Sequence, residues 1–407
     1  MDRKHLVIVA IYFPPIISIA SQRILAFTRY FDRKFFKITL ITLDTGEVWE
    51  KPGFLQDVEI IRLKNDTALK PVNLRKNYPF LVHKAGAAIN KIMDLTIMDE
   101  YAGWTKNAAR TLGQLHKQHG VDILLSSFAP VASHLAVLKT SLPEHGVKWI
   151  ADMRDEMSPN PSFSPVKKKY LARIEKMILR NAWLLTTTSD MVQESFQRLD
   201  KTKRFPIIQI KNGFDFDYPE DYTYNEVFTI THAGTFYGDI KPTVFFRALS
   251  EMLHEKQLPD IRINLIGAGN AVLIPKDLRN YVHITGKIPH DKAVEYIMRS
   301  DANLVILPKS RKGAISGKIY EYMASLKPIV AIMDETEQAA MIIRRANAGF
   351  VAGLDDIEGI KEAIMKAYDL WARHEKPEVD LAYLNQYHRK HQVKILQDLI
   401  LKNPDMK

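Results

Sequence analysis

The 407-residue chain contains no cysteine, which excludes disulfide bonds and thiolate metal sites. No apolar run in it approaches the length of a membrane-spanning helix. The spacings typical of a zinc site, a Walker loop or a nucleophile elbow are also missing. These absences favour a protein of the reducing cytoplasm whose chemistry depends neither on a protein-bound metal nor on a covalent serine nucleophile.

Length and charge both divide the chain in two. A chain of 407 residues exceeds what one hydrophobic core usually organises, so two domains are expected. Residues 1–205 carry 31 Lys and Arg against 20 Asp and Glu, a net charge of +11, whereas the remainder carries 26 against 27, or −1. This asymmetry indicates an anionic partner for the first half, and the alternative is an ordinary solvated basic surface. Nucleic acid is not expected, because no aromatic residues interleave the basic ones.

Short apolar runs alternate with helical patterns in both halves, which predicts an α/β fold of two doubly wound parallel sheets. The runs of the first half are His5–Ile11, Ile38–Leu43, Val58–Leu63, Val121–Leu125, Lys148–Ala151 and Trp183–Thr187. Those of the second half are Val227–Thr231, Ile261–Leu265, Val282–Thr285, Ala302–Leu307, Ile329–Met333 and Phe350–Val351.

The domain boundary is predicted near Phe205–Tyr224, where the turn signal Asn212-Gly213 lies between two prolines. We therefore expect an N-terminal domain over 1–205 and a C-terminal domain over 206–375. Residues 376–407 form a third segment, in which Leu381–Leu401 is predicted to be one helix that packs back on the first domain.

The segment 313–333, GAISGKIYEYMASLKPIVAIM, lies between two predicted strands and carries the strongest functional signal. Ser316 and Gly317 are placed to start a helix, and Lys318 and Glu321 follow one turn apart. Backbone N–H groups at a helix N-terminus bind phosphate, so the segment suits a diphosphate with a ribose beside it. The alternative is an ordinary helix with a surface ion pair.

Another phosphate loop is predicted after the first strand of the second half. Gly234 and Thr235 offer a close backbone approach and a hydroxyl, and Lys241 adds a cation. A dinucleotide fingerprint is not completed at Gly267, since Val272 occupies the place of its third small residue. No nicotinamide or flavin cofactor is therefore expected.

In the first half, the charged residues Asp152, Arg154 and Asp155 follow a predicted strand at its carboxyl end, where a cleft is expected. The alternative is a structural pair between Arg154 and a carboxylate.

Arg154 and three further residues of the first half are candidate contacts for an acceptor or a sugar. Ser18 lies in the loop after the first strand, Arg23 in the following helix, and His134 at another helix start. A lone arginine such as Arg23 is more often a surface residue, and a lone histidine such as His134 is more often structural.

Seven pieces of the chain, in this order and spacing, resemble glycosyltransferases of the GT-B fold, and most of all family 4, the retaining nucleotide-sugar enzymes of bacterial surface polysaccharide synthesis. The pieces are YFPP at 12–15, WIADMRD at 149–155, KNGFD at 211–215, AGTFYGDIK at 233–241, LIGAG at 265–269, ITGKIP at 284–289 and KIYEYMASLKPIV at 318–330. The resemblance implies two Rossmann-like domains that face a cleft.

The resemblance also implies roles for individual residues. Gly234, Thr235 and Lys241 would hold the donor diphosphate, Lys241 also acting in catalysis, and Glu321 would hold the ribose. The opposite loop would cap the diphosphate through Ser316, Gly317 and Lys318. At the reacting carbon, the implied contacts are Asp152 and Asp155.

Three departures from the family pattern keep alternatives open. Gly313 replaces a glutamate, Thr235 replaces an arginine, and Ile17 with Ser18 replaces a glycine pair. The sequence therefore also allows a non-catalytic nucleotide-sugar-binding subunit or a sugar-nucleotide epimerase of the same fold.

The main expectation is a cytoplasmic retaining glycosyltransferase with no cofactor, which uses a nucleotide diphosphate sugar as donor and a glycan or lipid-linked acceptor. The basic first half and the segment Leu69–Ile97, where Arg75, Lys76, Lys84 and Lys91 accompany apolar residues, predict peripheral binding to an anionic membrane at its inner face. A solvated basic helix pair is the alternative there.

Overall fold

The structure, a computed structural model, describes residues 3–67, 99–160, 163–200, 206–236, 240–268, 272–308 and 315–402. The chain divides into two compact units. Unit 1 comprises residues 1–211 and 393–407, and unit 2 comprises residues 212–392.

Unit 1 is built on a parallel sheet of seven strands in the order β3-β2-β1-β4-β5-β6-β7. Its strands are β1 (Lys4–Val9), β2 (Phe36–Leu43), β3 (Glu59–Leu63), β4 (Ile123–Phe128), β5 (Lys148–Met153), β6 (Leu184–Thr187) and β7 (Ile207–Gln209). The central strands are buried on both faces, which explains their nearly continuous apolar sequences.

Helices cover this sheet, and serine side chains begin three of them by accepting a hydrogen bond from a backbone N–H. These N-caps are Ser18, Ser164 and Ser189. The described helices of this part are α1 (Ile19–Tyr30), α2 (Ala102–His119), α3 (Ala132–Leu138), α4 (Pro165–Asn181) and α5 (Asp190–Leu199).

Unit 2 repeats the architecture with six parallel strands in the order β10-β9-β8-β11-β12-β13. They are β8 (Thr229–Ala233), β9 (Arg262–Ile266), β10 (Val282–Ile284), β11 (Ala302–Ile306), β12 (Ile329–Ile332) and β13 (Gly349–Ala352). The described helices are α6 (Thr243–His254), α7 (His290–Arg299), α8 (Gly317–Ala324), α9 (Gln338–Arg345), α10 (Ile357–Ala372) and α11 (Leu381–Asn385).

The last helix, α12 (Arg389–Lys402), begins in unit 2 and ends in unit 1. Its apolar residues Val393, Leu396 and Ile400 belong to the same buried cluster as Leu6 and Ile8 of β1. The end of the chain thus contributes to the core of unit 1.

The prediction of a single helix over Leu381–Leu401 is wrong, because the chain is interrupted between α11 and α12. The backbone there pairs with another segment: Phe214 N donates to Tyr387 O at 3.2 Å, and Arg389 N donates to Phe214 O at 3.0 Å. A Cβ atom on Gly213 would clash with the Tyr387 carbonyl oxygen, so glycine permits this close approach.

The predicted fold class, α/β with two doubly wound parallel sheets, is confirmed. All twelve predicted strands are present, with ends that differ by a few residues. The short strand β7 was not predicted, because it lies inside the segment read as an exposed connection. Leu69–Ile97, the predicted membrane-binding segment, lies outside the described residues.

Candidate functional site

The strand order of unit 2 reverses between β8 and β11, which lie side by side in the sheet. In open α/β sheets, ligands bind at such a switch point, outside the carboxyl ends of the strands. The loop after β8 and the start of α8 both lie at this edge, and both were predicted to bind phosphate.

The loop after β8 is held by backbone and side-chain hydrogen bonds to the end of β9. Gly234 has a φ of 130°, a conformation that residues with a Cβ rarely adopt. Its N–H donates to Ile266 O at 2.6 Å, and the hydroxyl of Thr235 donates to Gly267 O at 3.1 Å. Thr235 is exposed, so this loop presents a fixed backbone and an accessible side chain.

Helix α8 begins after Ser316, whose side chain makes no capping hydrogen bond, and Gly317 is its first residue. One turn later the buried Tyr322 hydroxyl accepts a hydrogen bond from Ala233 N at 2.8 Å. This contact ties α8 directly to the end of β8. The N-terminal turn of the helix is thereby fixed beside the Gly234 loop.

Lys318 lies against this loop, because its ammonium group and Gly234 occupy adjoining space. A Cβ atom on residue 234 would clash with Lys318 Nζ, so any other residue there would displace the end of the lysine side chain. Lys318 is half-buried, and burial lowers the pKa of Lys318 to about 8 although the charge of Glu321 opposes that shift. A cation is therefore held at the switch point in an environment that favours an anionic partner.

His232 in β8 lies beside Lys318, and its Nε2 atom is 3.5 Å from Lys318 Nζ. Its Nδ1 atom is 2.9 Å from the Leu304 carbonyl oxygen, which can only accept, so Nδ1 carries the proton and Nε2 is an acceptor. The ring is 2% exposed and stacks on Phe236 with centroids 4.2 Å apart. Burial, followed by the charge of Lys318, lowers the pKa of His232 well below its ordinary value, so the ring is neutral.

Glu321 is paired with a residue of another helix. His290 at the start of α7 places Nε2 2.8 Å from Glu321 Oε1. The hydrogen bond to Glu321 raises the pKa of His290, and it outweighs the opposing effect of burial. The carboxylate is thus oriented by an imidazole, and its second oxygen Oε2 takes no part in this pair.

Lys241 is exposed and directly precedes Pro242, the N-cap residue of α6. Residues 237–239 of the same loop and Gly313 lie outside the described residues. The predicted phosphate contact of Lys241 and the effect of Gly313 stay predictions.

In unit 1, Asp152 is fully buried, and both of its oxygens are engaged. Arg23 donates to both of them, at 2.7 and 2.9 Å, and the hydroxyls of Ser127 and Thr186 donate at 2.7 and 2.6 Å. Burial alone would raise the pKa of Asp152, but the Arg23 guanidinium and these hydrogen bonds lower it. Asp152 is therefore a carboxylate held by four hydrogen bonds near the carboxyl end of β5.

This network corrects the reading of Asp152 as a loop residue that could pair with Arg154. Strand β5 extends to Met153, so Asp152 lies within the strand, between its neighbours Ser127 and Thr186. Its partner is Arg23, which is 2% exposed. A contact of Asp152 with the transferred sugar stays a prediction, and such a contact would require one of these hydrogen bonds to be given up.

Of the other candidates in unit 1, Asp155 is exposed after β5, and Arg154 donates to Ala129 O at 2.6 Å. Ser18 accepts the N-cap hydrogen bond of α1 from Ser21 N at 3.0 Å. Their predicted contacts with an acceptor or sugar stay predictions.

His134 lies in the core rather than at a surface. It is fully buried, and its Nδ1 atom is 2.7 Å from the Ser126 hydroxyl. The ring stacks on Phe128, and burial lowers the pKa of His134 to about 3. A neutral, enclosed imidazole suits a structural role, and the predicted sugar contact of His134 stays a prediction.

Sequence reasoning missed His232 and His290, which complete the site of unit 2. Both are separated in sequence from their partners, His232 by 86 residues from Lys318 and His290 by 31 from Glu321. The available signal was their position, since one lies in a strand that ends at the glycine loop and the other begins a helix after the ITGKIP segment.

Within the described parts of the chain, no group of three or more His, Asp or Glu side chains is arranged to hold a metal ion. Among the same residues, no helix is long and apolar enough to cross a membrane.

Residues 228–369 match the family model described as glycosyl transferases group 1. Among solved structures, the chain is similar to a glycosyltransferase from Rickettsia africae ESF-5, with 16% identity, coverage of 99% of both chains and a TM-score of 0.60. It is also similar to a sucrose-phosphate synthase from Thermosynechococcus elongatus, with 14% identity, coverage of 99% of this chain and 98% of the other, and a TM-score of 0.60. A third is WaaG, a glycosyltransferase involved in lipopolysaccharide biosynthesis, with 15% identity, coverage of 97% and 99%, and a TM-score of 0.57. No curated protein matches the sequence.

The two doubly wound sheets and these neighbours show that the chain has the GT-B fold. The residues that match the group 1 glycosyl transferase model, 228–369, include Gly234, Lys318 and Glu321.

Proposed function

We propose that this chain is a retaining glycosyltransferase that moves a sugar from a nucleotide diphosphate sugar to a glycan or lipid-linked acceptor in surface polysaccharide synthesis. The observation that carries the proposal is the meeting of the Gly234 loop with Lys318 at the switch point of unit 2, with Glu321 one turn further along α8. Unit 2 would bind the donor, and the basic unit 1 would take the acceptor.

The donor would bind through complementary groups. The ammonium of Lys318, the exposed Lys241 and the N-terminal backbone of α8 suit a diphosphate. Glu321, oriented by His290, has a carboxylate oxygen available for ribose hydroxyls. This set of groups favours a nucleoside diphosphate over a monophosphate, because two cations and a helix N-terminus together match the larger negative charge of a diphosphate.

The chemistry would follow from charge development. As the bond from the anomeric carbon to the diphosphate oxygen breaks, the leaving group gains negative charge and the sugar gains oxocarbenium character. Lys318 and Lys241 stabilise the diphosphate more strongly in that transition state than in the ground state. The acceptor hydroxyl would form its bond on the face that the diphosphate leaves, and its proton would pass to the departing phosphate oxygen. The anomeric configuration is then retained.

Turnover of a panel of nucleotide sugars tests this proposal. We expect Lys241→Ala and Glu321→Ala to lower kcat/KM by about 10- to 100-fold, the size of a lost charged contact. The matched controls are Lys366→Ala and Glu362→Ala, which remove an exposed ion pair on α10. Rates like those of the unmodified protein in both site variants would refute the assignment, and an inverted product configuration would refute retention.

We also propose that unit 1 binds an anionic membrane surface. Besides its net charge of +11 over residues 1–205, helix α4 carries six Lys and Arg residues, together with the exposed apolar residues Val166 and Met177. Sedimentation with vesicles should show binding that rises with the anionic lipid fraction. Equal sedimentation with neutral and anionic vesicles would remove this proposal.

A further inference from the structure

We propose that His232 is a positioning residue for the diphosphate of the donor: as a neutral hydrogen-bond acceptor, it holds the Lys318 ammonium in the space left by Gly234. This inference rests on the proposed function and adds to it a residue that does not itself touch the donor.

The tautomer of His232 sets the direction of its hydrogen bond with Lys318. Leu304 O can only accept, so the His232 proton is on Nδ1, and Nε2 presents a lone pair to Lys318 Nζ at 3.5 Å. A protonated imidazole would instead repel the ammonium. Enclosure of the ring and its stacking on Phe236 keep it in the neutral form and in one orientation.

The end of the Lys318 side chain occupies space that Gly234 leaves open. Lys318 Nζ lies within clashing distance of the place that a Cβ atom on residue 234 would take, at the carboxyl end of β8. Helix α8 thus supplies a cation to this loop, and β8 supplies the acceptor that fixes the cation.

The electrostatic surroundings of Lys318 determine its protonation. Among the residues that the structure describes, the titratable or charged groups that face it are His232 from β8 and Glu321 on its own helix, and His290 of α7 acts through Glu321. Burial is the larger influence, and it leaves the pKa of Lys318 at about 8. An added diphosphate favours the ammonium form, so binding should take up protons when the pH is above about 8.

The experiment measures binding of nucleoside diphosphates, each beside its nucleoside, to the full chain by calorimetry. His232→Asn keeps a donor near the Nδ1 position but loses the reach to Lys318, whereas His232→Gln places an amide oxygen near the Nε2 position. We expect His232→Asn to weaken diphosphate binding roughly tenfold, as for a lost hydrogen bond to a charged group, and to leave nucleoside binding unchanged. His232→Gln should restore part of the loss.

A second measurement needs no substitution in the core. Calorimetry of the unmodified protein at pH 8.5, in buffers of different ionisation enthalpy, should show proton uptake on diphosphate binding, and Lys318→Met should abolish that uptake. Unchanged diphosphate affinity in His232→Asn, or no proton uptake by the unmodified protein, would overturn the inference while the proposed function stands. If the unmodified protein bound none of the nucleoside diphosphates, both would fall.

Discussion

At the scale of single residues, unit 1 contains a charged pair that is removed from water. Asp152 and Arg23 are 0% and 2% exposed, and each carboxylate oxygen accepts two hydrogen bonds. Removing such a pair from water costs free energy, and its complete set of hydrogen bonds offsets that cost. The pair joins α1 to three neighbouring strands, since Ser127, Asp152 and Thr186 lie in β4, β5 and β6.

Replacing Asp152 by Asn should therefore destabilise the protein by about 3–5 kcal/mol, because Arg23 would remain charged and buried without its counter-ion. Urea unfolding followed by a probe in unit 1 measures this. Asp155→Asn, an exposed carboxylate three residues away, is the control and should change stability by less than about 0.5 kcal/mol. A loss below about 1 kcal/mol for Asp152→Asn would contradict the account of the pair.

Residue positions were predictable from sequence only where partners are close along the chain. Ser316, Lys318 and Glu321 lie within six positions, so helical spacing alone placed them on one turn. Arg23 and Asp152 are 129 positions apart, and neither residue announces the other. Burial of such a pair follows from sheet register and helix packing, which a single sequence does not specify.

At the scale of elements, the pairing of α7 with α8 orients the carboxylate assigned to the ribose. His290 and Glu321 each lie near the first turn of their helices, and their side chains meet at 2.8 Å. Loss of this pair would leave Glu321 free to rotate. The contact thus links the stability of two helices to the shape of the proposed donor site.

The pair gives stability a defined pH dependence. Because the hydrogen bond to Glu321 raises the pKa of His290 above its ordinary value of 6.5, its contribution is complete below pH 6.5 and is lost as the pH rises through the folded-state value. His290→Gln should therefore cost more stability at pH 6 than at pH 9. The difference should be about 0.5–1 kcal/mol, a discounted figure because His290 is one-third exposed.

Thermal or urea unfolding at the two pH values checks this expectation. His283→Gln, an exposed histidine on β10, serves as the control and should cost the same at both. An equal cost of His290→Gln at pH 6 and pH 9 would show that the pair is not charged in the folded protein.

Elements were more predictable than their boundaries or interruptions. The buried parallel strands have apolar runs that turn residues delimit, so their existence followed from composition. The break between α11 and α12 did not, because its cause is pairing with Phe214, about 170 positions earlier. Helical periodicity continues through Leu381–Leu401, and a tertiary contact overrides it.

At the scale of the whole molecule, both units use one strand order about a central switch point. In unit 2, this order brings the end of β8 beside β11 and so places the Gly234 loop next to the start of α8. In unit 1, the Asp152 network lies at the carboxyl ends of the central strands. Repetition of strands and helices predicted the two sheets, and the contacts at each edge arise only once the sheets are assembled.

The central claim is that the pyrophosphate of a nucleotide donor binds at the edge formed by the Gly234 loop and α8. A crystal structure of the full chain with a bound nucleoside diphosphate tests it most directly. We expect phosphate oxygens within hydrogen-bond distance of Lys318 Nζ and ribose hydroxyls within hydrogen-bond distance of Glu321. A nucleotide bound with its phosphates away from Lys318, or density for it at another place in the fold, would contradict the account.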